Sequence, residues 1–330
     1  MRILIAGSIQ IDGGYEEEAL VKSIAKYLKD HKHMVDTFML PYVRDMLSLP
    51  DQIAAYQMLD ISNIDLLITV GYPACVLQHH NKIIYLFETA PMLNEYWDSE
   101  YGVLASQQYS RLLHSVSYCE EKVFKEAKKI VCNSELLSND ITRKYMINTS
   151  TQYCPNIFDT VEGKFDLRKD YYVCETSLMP YHRMELLLDT LRKEPTENLV
   201  IYIPRANSIY HETLLMQIED RNLSDRVFVF KSIAPNDVLK NAKAFITTDY
   251  QVRKISAGVI RSVSLNTNII ACEDSGAIAE FINLHKCGIV KKADPVSLSS
   301  GISAINSFKK QVTTSEINDV NNFMRGLTTI

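Results

Sequence analysis

The chain has 330 residues, of which 46% are hydrophobic and 23% charged, with 35 lysines and arginines against 40 aspartates and glutamates. This composition is that of a globular protein, and it excludes a disordered or collagen-like chain. The net charge of −5 gives no general reason to expect nucleic-acid binding, because that function usually needs a basic face. The longest apolar runs, such as 66–70 and 83–87, are far shorter than a membrane span.

The first half of the chain alternates short apolar runs with amphipathic stretches. Its N-terminus, 1–7, reads as a short strand and lacks the apolar region and cleavage site of a signal peptide. Apolar residues recurring every three to four positions predict helices at 16–30 and 107–127. The predicted strands are 2–6, 34–38, 65–70, 82–87, 129–133 and 151–154.

The second half repeats this alternation. The predicted strands are 170–174, 198–203, 226–230, 243–247, 268–272 and 287–291, and the predicted helices are 182–193, 208–221, 236–241 and 275–283. Strands alternating with helices of this length predict right-handed βαβ units and parallel sheets covered on both faces. We therefore predict an α/β protein of two doubly wound domains, with a polar linker at 156–169 and a closing helix at 315–327.

Seven cysteines are scattered along the chain and never form a C-x2-C pair. Disulfides need an oxidising compartment, whereas buried free thiols are usual in a reducing cytoplasm. We therefore predict free thiols, a cytoplasmic protein and no zinc site. The cysteines are Cys75, Cys119, Cys132, Cys154, Cys174, Cys272 and Cys287.

The loop after the first strand, 7–14, does not read G-x-G-x-x-G, and three glutamates follow it from Glu16 onward. Those carboxylates suit the start of a helix but would repel a pyrophosphate, so a dinucleotide site is excluded there. P-loop, zinc-protease and hydrolase-elbow motifs are also missing from the sequence. Gly13 and Gly14 fit either a flexible turn or a loop shaped to admit an acceptor.

The predicted strand at 268–272 runs into a turn at 273–276 and then a helix. Unpaired backbone N–H groups at a helix start can hold a phosphate, and open α/β sheets bind ligands at the carboxyl ends of their strands. Ser275 and Gly276 are therefore predicted to bind the phosphates of a ligand. The alternative is that Asp274 or Ser275 is a plain helix N-cap.

Three passages, 131–155, 178–186 and 269–280, follow one another in the order and at the spacing of a known family. They are similar to that family's N-S motif closing the N-terminal domain, to its L-V-P-Y-K-R passage and to its D-S-G-G passage. The chain therefore resembles the GT-B glycosyltransferases, in particular the retaining, nucleotide-sugar-dependent family 4 and its relatives.

The resemblance implies a GT-B fold, in which two Rossmann-like, doubly wound domains face a central cleft. The acceptor-side domain would be 1–157, the nucleotide-sugar domain 158–314, and a closing helix within 315–330 would pack back on the N-terminal domain. The implied activity is that of a hexosyltransferase in polysaccharide biosynthesis, moving a hexose from a nucleotide sugar to a glycan or lipid-linked saccharide with retention. Cationic side chains would neutralise the leaving diphosphate without an obligatory metal, so we expect no cofactor beyond the nucleotide sugar as co-substrate.

Several donor-site positions depart from the family pattern. The family's Arg and Lys clamp falls on Ser177 and His182, and its E-x7-E pair falls on Arg253 and Arg261, which keep the spacing and reverse the charge. The second glycine of D-S-G-G is Ala277. A carboxylate accepts two hydrogen bonds from a ribose diol, whereas a guanidinium accepts none.

These substitutions leave three interpretations open. In the first, the site is rewired, with His182, Arg253 and Arg261 as catalytic residues and Arg183 and Arg205 binding the donor, because guanidinium forks suit phosphate. His182 would add charge only when protonated. In the second, donor chemistry is lost and the chain is an inactive GT-B-like partner or binding subunit of a glycosyltransferase complex. In the third, Arg253 and Arg261 are ordinary surface charges.

In the first half, Glu88 and Trp97 follow a predicted strand and resemble the family's acceptor-side passage. We predict that Glu88 contacts an acceptor hydroxyl and that Trp97 stacks on a sugar, with Gly13 and Gly14 on the same side. The alternatives are a solvated carboxylate and a packed aromatic ring.

A set of lysines, interleaved with glutamates, is typical of a solvated face, with a membrane-docking surface as the alternative. We expect a cytoplasmic protein with at most peripheral contact at the inner membrane face. The expected partners are the nucleotide sugar, a glycan or lipid-linked acceptor and a homologous glycosyltransferase subunit, but not nucleic acid. The lysines are Lys122, Lys125, Lys128 and Lys129.

Overall fold

A computed structural model describes residues 1–10, 16–43, 48–90, 110–157, 170–204, 208–231, 235–309, 317 and 319–329. The chain divides into two compact units, one formed by Met1–Phe158 with Asp319–Ile330 and the other by Asp159–Asn318. Each unit is built on a parallel six-stranded sheet, so the predicted doubly wound α/β architecture is confirmed.

The sheet of the first unit has the strand order β2-β1-β3-β4-β5-β6. Strands β3 and β4 are buried along their whole length, as expected where helices cover both faces of a parallel sheet. The strands are β1 (Arg2–Gln10), β2 (Met34–Tyr42), β3 (Leu66–Val70), β4 (Lys82–Leu86), β5 (Lys129–Cys132) and β6 (Ser150–Thr151). The helices are α1 (Glu16–Asp30), α2 (Leu49–Gln57), α3 (Ser110–Glu126) and α4 (Glu135–Tyr145), with a one-turn 3-10 helix at Ala74–Val76.

The sheet of the second unit has the order β12-β11-β10-β7-β8-β9. The strands are β7 (Tyr172–Glu175), β8 (Leu199–Tyr202), β9 (Val227–Phe230), β10 (Ala244–Thr247), β11 (Asn268–Cys272) and β12 (Gly288–Lys291). The helices are α5 (Met184–Arg192), α6 (Ser208–Asp220), α7 (Pro235–Lys240), α8 (Ala257–Ser264), α9 (Ala277–His285) and α10 (Pro295–Ile305), with a 3-10 turn at Pro180–His182.

The last helix, α11 (Val320–Thr328), belongs to the first unit. It buries Phe323 against that unit's sheet, where the ring meets Tyr85 edge-on with centroids 5.5 Å apart. Lys129, at the start of β5, donates from Nζ to the carbonyls of Gly326 and Thr329, at 2.5 and 2.8 Å. A cation at the last carbonyls of a helix is stabilising, so Lys129 ties α11 to the sheet.

The elements differ from the sequence prediction mainly at their ends and in their short helices. Strand β1 continues four residues beyond the predicted 2–6, and α2, α4, α8 and α10 were not predicted. The predicted helix at 182–193 does not begin at His182, because Arg183 has a left-handed backbone with φ of 47° that separates the 3-10 turn from α5. All seven cysteines are free, as predicted, and burial raises the pKa of Cys75, Cys132 and Cys272 to about 12.

The second sheet reverses its direction of growth between β7 and β10. From β7 the chain adds β8 and β9 on one side, and it then returns to β10 and adds β11 and β12 on the other. At such a topological switch point the loops after the two central strands diverge to opposite faces of the sheet and leave a crevice, where doubly wound proteins bind ligands. The loops after β7 and β10 therefore border the expected ligand-binding crevice.

Gly288, at the start of β12, is expected to tolerate no side chain. A Cβ there would lie 2.0 Å from the backbone carbonyl oxygen of Ile269 in β11, so the two strands would have to separate. We expect Gly288→Ala to lower the free energy of unfolding by about 1–3 kcal/mol in urea denaturation. Gly301→Ala is the control, because the nearest atom to its Cβ is the flexible Lys291 side chain and alanine favours the α10 helix. An equal loss in both variants would contradict the argument.

Candidate functional site

The buried guanidinium of Arg183 holds together three loops at the carboxyl edge of the second sheet. Its Nε donates to the carbonyl of Thr248 at 2.6 Å, and its Nη2 donates to the carbonyl of Asp249 at 3.1 Å. Nη1 and Nη2 each donate to one carboxylate oxygen of Asp274 at 2.7 Å. Arg183 is only 7% exposed, so this bidentate, charge-assisted pair fixes the loops after β7, β10 and β11 relative to one another.

The turn before α9 is also anchored to this network. Ser275 is buried and its Oγ donates to the carbonyl of Asp249 at 2.7 Å. Gly276 has a φ of 60°, and a Cβ there would lie 2.4 Å from the carbonyl oxygen of Val252. The same carbonyl accepts the backbone N–H of Ala277 at 2.8 Å. Only glycine fits at 276, and one N–H of the helix start is already paired within the protein.

The N-cap interpretation of this turn is wrong. Gly276 is the N-cap residue of α9 and has no side chain to accept a hydrogen bond. Asp274 is instead committed to Arg183, and Ser275 to the carbonyl of Asp249. Phosphate binding by Ser275 and Gly276 stays a prediction.

His182 stands between a serine and an aspartate. Its Nδ1 lies 2.6 Å from Oδ1 of Asp249, and its Nε2 lies 2.8 Å from Oγ of Ser177. An aspartate carboxylate only accepts, so Nδ1 carries the proton, and in the neutral ring Nε2 accepts from the serine hydroxyl. The side chains of His182 and Asp249 are 13% and 12% exposed, whereas Ser177 is exposed.

Arg261, on α8, is buried in an ion pair within the second unit. Its Nη1 donates to Oε2 of Glu175, the last residue of β7, at 3.0 Å, and its side chain is 3% exposed. Burial raises the pKa of the neighbouring Tyr202, with the negative charge of Glu175 adding to this effect and Arg261 opposing it. The interpretation of Arg261 as an ordinary surface charge is therefore wrong.

Arg253 precedes α8 and is half-buried, with Nη1 donating to the carbonyl of Gln251 at 3.2 Å. The pair predicted from the E-x7-E spacing thus splits into one half-buried arginine and one buried arginine. The catalytic roles predicted for Arg253 and Arg261 stay predictions.

In the first unit, Glu88 is half-buried just after β4. The chain beyond it is held by Glu120, a buried carboxylate of α3, which accepts the N–H of Ala90 at 2.9 Å and the hydroxyl of Tyr145 at 2.5 Å. The acceptor role of Glu88 stays a prediction. The predicted site residues Gly13, Gly14, Trp97 and Arg205 lie outside the described residues.

The lysine set does not form one uniform solvated face. Lys122, Lys125 and Lys128 are exposed, and Lys125 pairs with Glu121 one turn earlier. Lys129 instead binds the end of α11. Among the described residues, no helix combines the length and the apolar character needed to cross a bilayer, and no three metal-binding side chains come together.

No protein-family model matches the chain, and no curated protein sequence matches it. Solved structures do match it over nearly its whole length. HepE from Anabaena, in complex with UDP-glucose, superposes with a TM-score of 0.68 at 13% identity, covering 98% of each chain. This chain has the GT-B glycosyltransferase fold. WaaG, a glycosyltransferase involved in lipopolysaccharide biosynthesis, matches with a TM-score of 0.65 at 11% identity, covering 98% of this chain and 94% of its own.

WaaB, a lipopolysaccharide outer core galactosyltransferase in its apo form, matches with a TM-score of 0.61 at 13% identity, over 100% of this chain and 96% of its own. The GT-B fold expected from the three sequence passages is thereby confirmed. At these identities the likeness establishes the fold, and the chemistry has to be argued from the site itself.

Sequence reasoning did not identify Asp249 and Glu175 as members of this site. Asp249 lies 67 positions from His182, and Glu175 lies 86 positions from Arg261. The sequence does place both residues at the carboxyl edge of the sheet, where ligands bind, because Glu175 ends β7 and Asp249 follows β10.

The Arg183–Asp274 ion pair should contribute strongly to the stability of these loops. In Asp274→Asn the buried guanidinium loses the carboxylate that it binds through two parallel hydrogen bonds, so we expect the free energy of unfolding to fall by about 2–3 kcal/mol. Urea denaturation measures this loss. Glu18→Gln is the matched control, because the Glu18–Lys22 pair has the same 2.7 Å separation but its lysine is 71% exposed, and its loss should stay below about 1 kcal/mol.

Proposed function

We propose that the chain is a glycosyltransferase that moves a hexose from a nucleotide sugar to a glycan or lipid-linked saccharide acceptor with retention of configuration. The observation that carries this proposal is the position of Ser177 and His182 at the switch point of the second sheet, within a GT-B fold. Nucleotides bind at such crevices in doubly wound sheets. HepE, which shares the fold, was solved with UDP-glucose, and this favours a nucleotide sugar as the ligand.

In this proposal His182 supports the leaving diphosphate. Asp249 holds the Nδ1 proton, so a second proton would enter at Nε2, on the side of Ser177. The ring then offers an N–H donor and a positive charge, and the serine hydroxyl offers a second donor. Such fixed donors stabilise charge that develops on a leaving group, so no obligatory metal is proposed. Arg253 would add charge beside them, and the start of α9 would contribute backbone dipoles.

The reversed charges at the E-x7-E positions have a counterpart in the structure. Where the family pattern has a carboxylate, Arg261 stands, but it is paired with Glu175 from the neighbouring strand end. We propose that Glu175 supplies the carboxylate that accepts the ribose hydroxyls, while Arg261 holds it in place.

On the acceptor side, Glu88, Trp97, Gly13 and Gly14 remain the proposed contacts. The proposed setting is cytoplasmic, with at most peripheral contact at the inner membrane face. The lipid-linked acceptor would then meet the protein at the membrane surface.

A second candidate function is an inactive partner or binding subunit of a glycosyltransferase complex. The specific observation in its favour is that neither position of the Arg and Lys clamp holds a permanently charged side chain, since these are Ser177 and His182. Arg261 and Arg183 are both buried in ion pairs, which limits the positive charge they offer to a diphosphate.

Nucleotide binding separates the two candidates. We expect UDP or another nucleoside diphosphate, and one of its hexose conjugates, to raise the unfolding temperature with EDTA present as well as with Mg²⁺. A ligand at 100 times its Kd stabilises the folded state by about 2.7 kcal/mol, which a thermal melt resolves. If no nucleotide binds at millimolar concentration, the transferase proposal fails and the binding-subunit candidate is favoured.

His182→Gln tests the role of the imidazole in that binding. Glutamine has no ring nitrogen that can take up a proton and a positive charge, so the variant should bind the nucleoside diphosphate about tenfold more weakly than the natural protein. Isothermal titration calorimetry measures this difference. Ser300→Ala, an exposed serine on α10, is the control and should match the natural protein. Equal affinity of His182→Gln and the natural protein would rule out a role of the imidazole in binding.

A further inference from the structure

We propose that Ser177 is an activated nucleophile that accepts an acyl group from carboxylic esters, with His182 as its general base and Asp249 as the positioning residue. This activity is separate from glycosyl transfer and does not rest on the proposed function. It is inferred from the hydrogen-bonded chain that these three side chains form at the carboxyl edge of the second sheet.

The three hydrogen-bonded side chains have the order and spacing that a serine nucleophile needs. Ser177 Oγ lies 2.8 Å from Nε2 of His182, and the opposite nitrogen, Nδ1, lies 2.6 Å from Oδ1 of Asp249. A serine, a base and an orienting carboxylate linked through the two different ring nitrogens form the arrangement that activates serine on unrelated folds. The serine is exposed, while the base and the carboxylate are nearly buried. The nucleophile can therefore meet a substrate while its activating groups stay shielded.

The surrounding backbone holds these three side chains in place without a bound ligand. Leu178 and Arg183, which directly follow Ser177 and His182, have left-handed φ angles of 62° and 47°. Such conformations cost energy in residues with a Cβ and persist only where surrounding contacts impose them. The Oγ1 of Thr248 donates to the carbonyl of His182 at 2.5 Å, and Arg183 binds the carbonyl of Asp249. Both ends of the His182–Asp249 bond are thereby held by buried groups.

The proposed reaction proceeds in two balanced steps. In the first, Ser177 Oγ bonds to the ester carbonyl carbon as its proton passes to Nε2 of His182, and the alcohol leaves when its C–O bond breaks and it takes that proton. In the second, water attacks the acyl–serine, giving its proton to Nε2, and the carboxylic acid leaves as Oγ is reprotonated. Asp249 stabilises the imidazolium of both steps and fixes which ring nitrogen faces the serine.

Covalent labelling of the full-length chain tests the nucleophile. We expect a fluorophosphonate to bind Ser177 stoichiometrically, with loss of fluoride, and p-nitrophenyl acetate to release one equivalent of p-nitrophenolate in a burst. Peptide mass spectrometry locates the label. His182→Gln should label at least about 100-fold more slowly, since removal of a general base typically costs that much. Imidazole added to His182→Ala should restore part of the rate.

The controls separate activation from folding and from background reaction. Ser177→Ala should show no label in the peptide, and Ser300→Ala should label like the natural protein. Asp249→Asn should lower the labelling rate and abolish the downfield imidazole N–H resonance in proton NMR, and thermal melts would establish that each variant is folded. The proposal is overturned if Ser177 is not labelled in the natural protein, or if folded His182→Gln labels as fast. Nucleotide binding does not enter these measurements, so either proposal can fail alone.

Discussion

The arrangement of the loops at the carboxyl edge of the second unit's sheet depends on one buried guanidinium. Arg183 donates to two loop carbonyls and, through two parallel hydrogen bonds, to the carboxylate of Asp274. Removing a charge from water is costly, and only a nearly complete set of acceptors with good geometry offsets that cost. Because the arginine and its acceptors come from three separate loops, the ion is satisfied only when all three adopt a single arrangement. The positions of His182 and Ser275 follow from that requirement.

The pairing of Glu175 with Arg261 shows how a sequence pattern and the arrangement of groups in space can differ. The arginine stands where the family pattern has a carboxylate, and on sequence alone this reads as a loss. In the structure, a carboxylate from the adjoining strand end occupies the neighbouring position. A sequence motif specifies which position has a given side chain. A ligand contacts the side-chain group itself, whichever position supplies it.

The sequence was sufficient for central strands such as β3 and β4, because buried parallel strands are continuous apolar runs that are hard to mistake. It was less informative for helix starts, as at 182–193, where the left-handed backbone of Arg183 leaves no trace in the hydrophobic pattern. The resemblance put the family's clamp positions on Ser177 and His182, and both residues lie in the loop between β7 and α5. Their partner Asp249 could not be foreseen, because it is 67 positions away and meets the imidazole only once β7 and β10 pair.

The return of α11 to the first unit makes that unit discontinuous in the gene, whereas the second unit is one uninterrupted stretch, Asp159–Asn318. A shortened clone ending before residue 319 would therefore spare the unit nearest its new terminus and damage the distant one, uncovering the aromatic edge of Tyr85 and leaving Lys129 without the helix carbonyls it binds. Expression trials that divide this protein should keep both ends of the chain in the same fragment, joined by a short artificial connector.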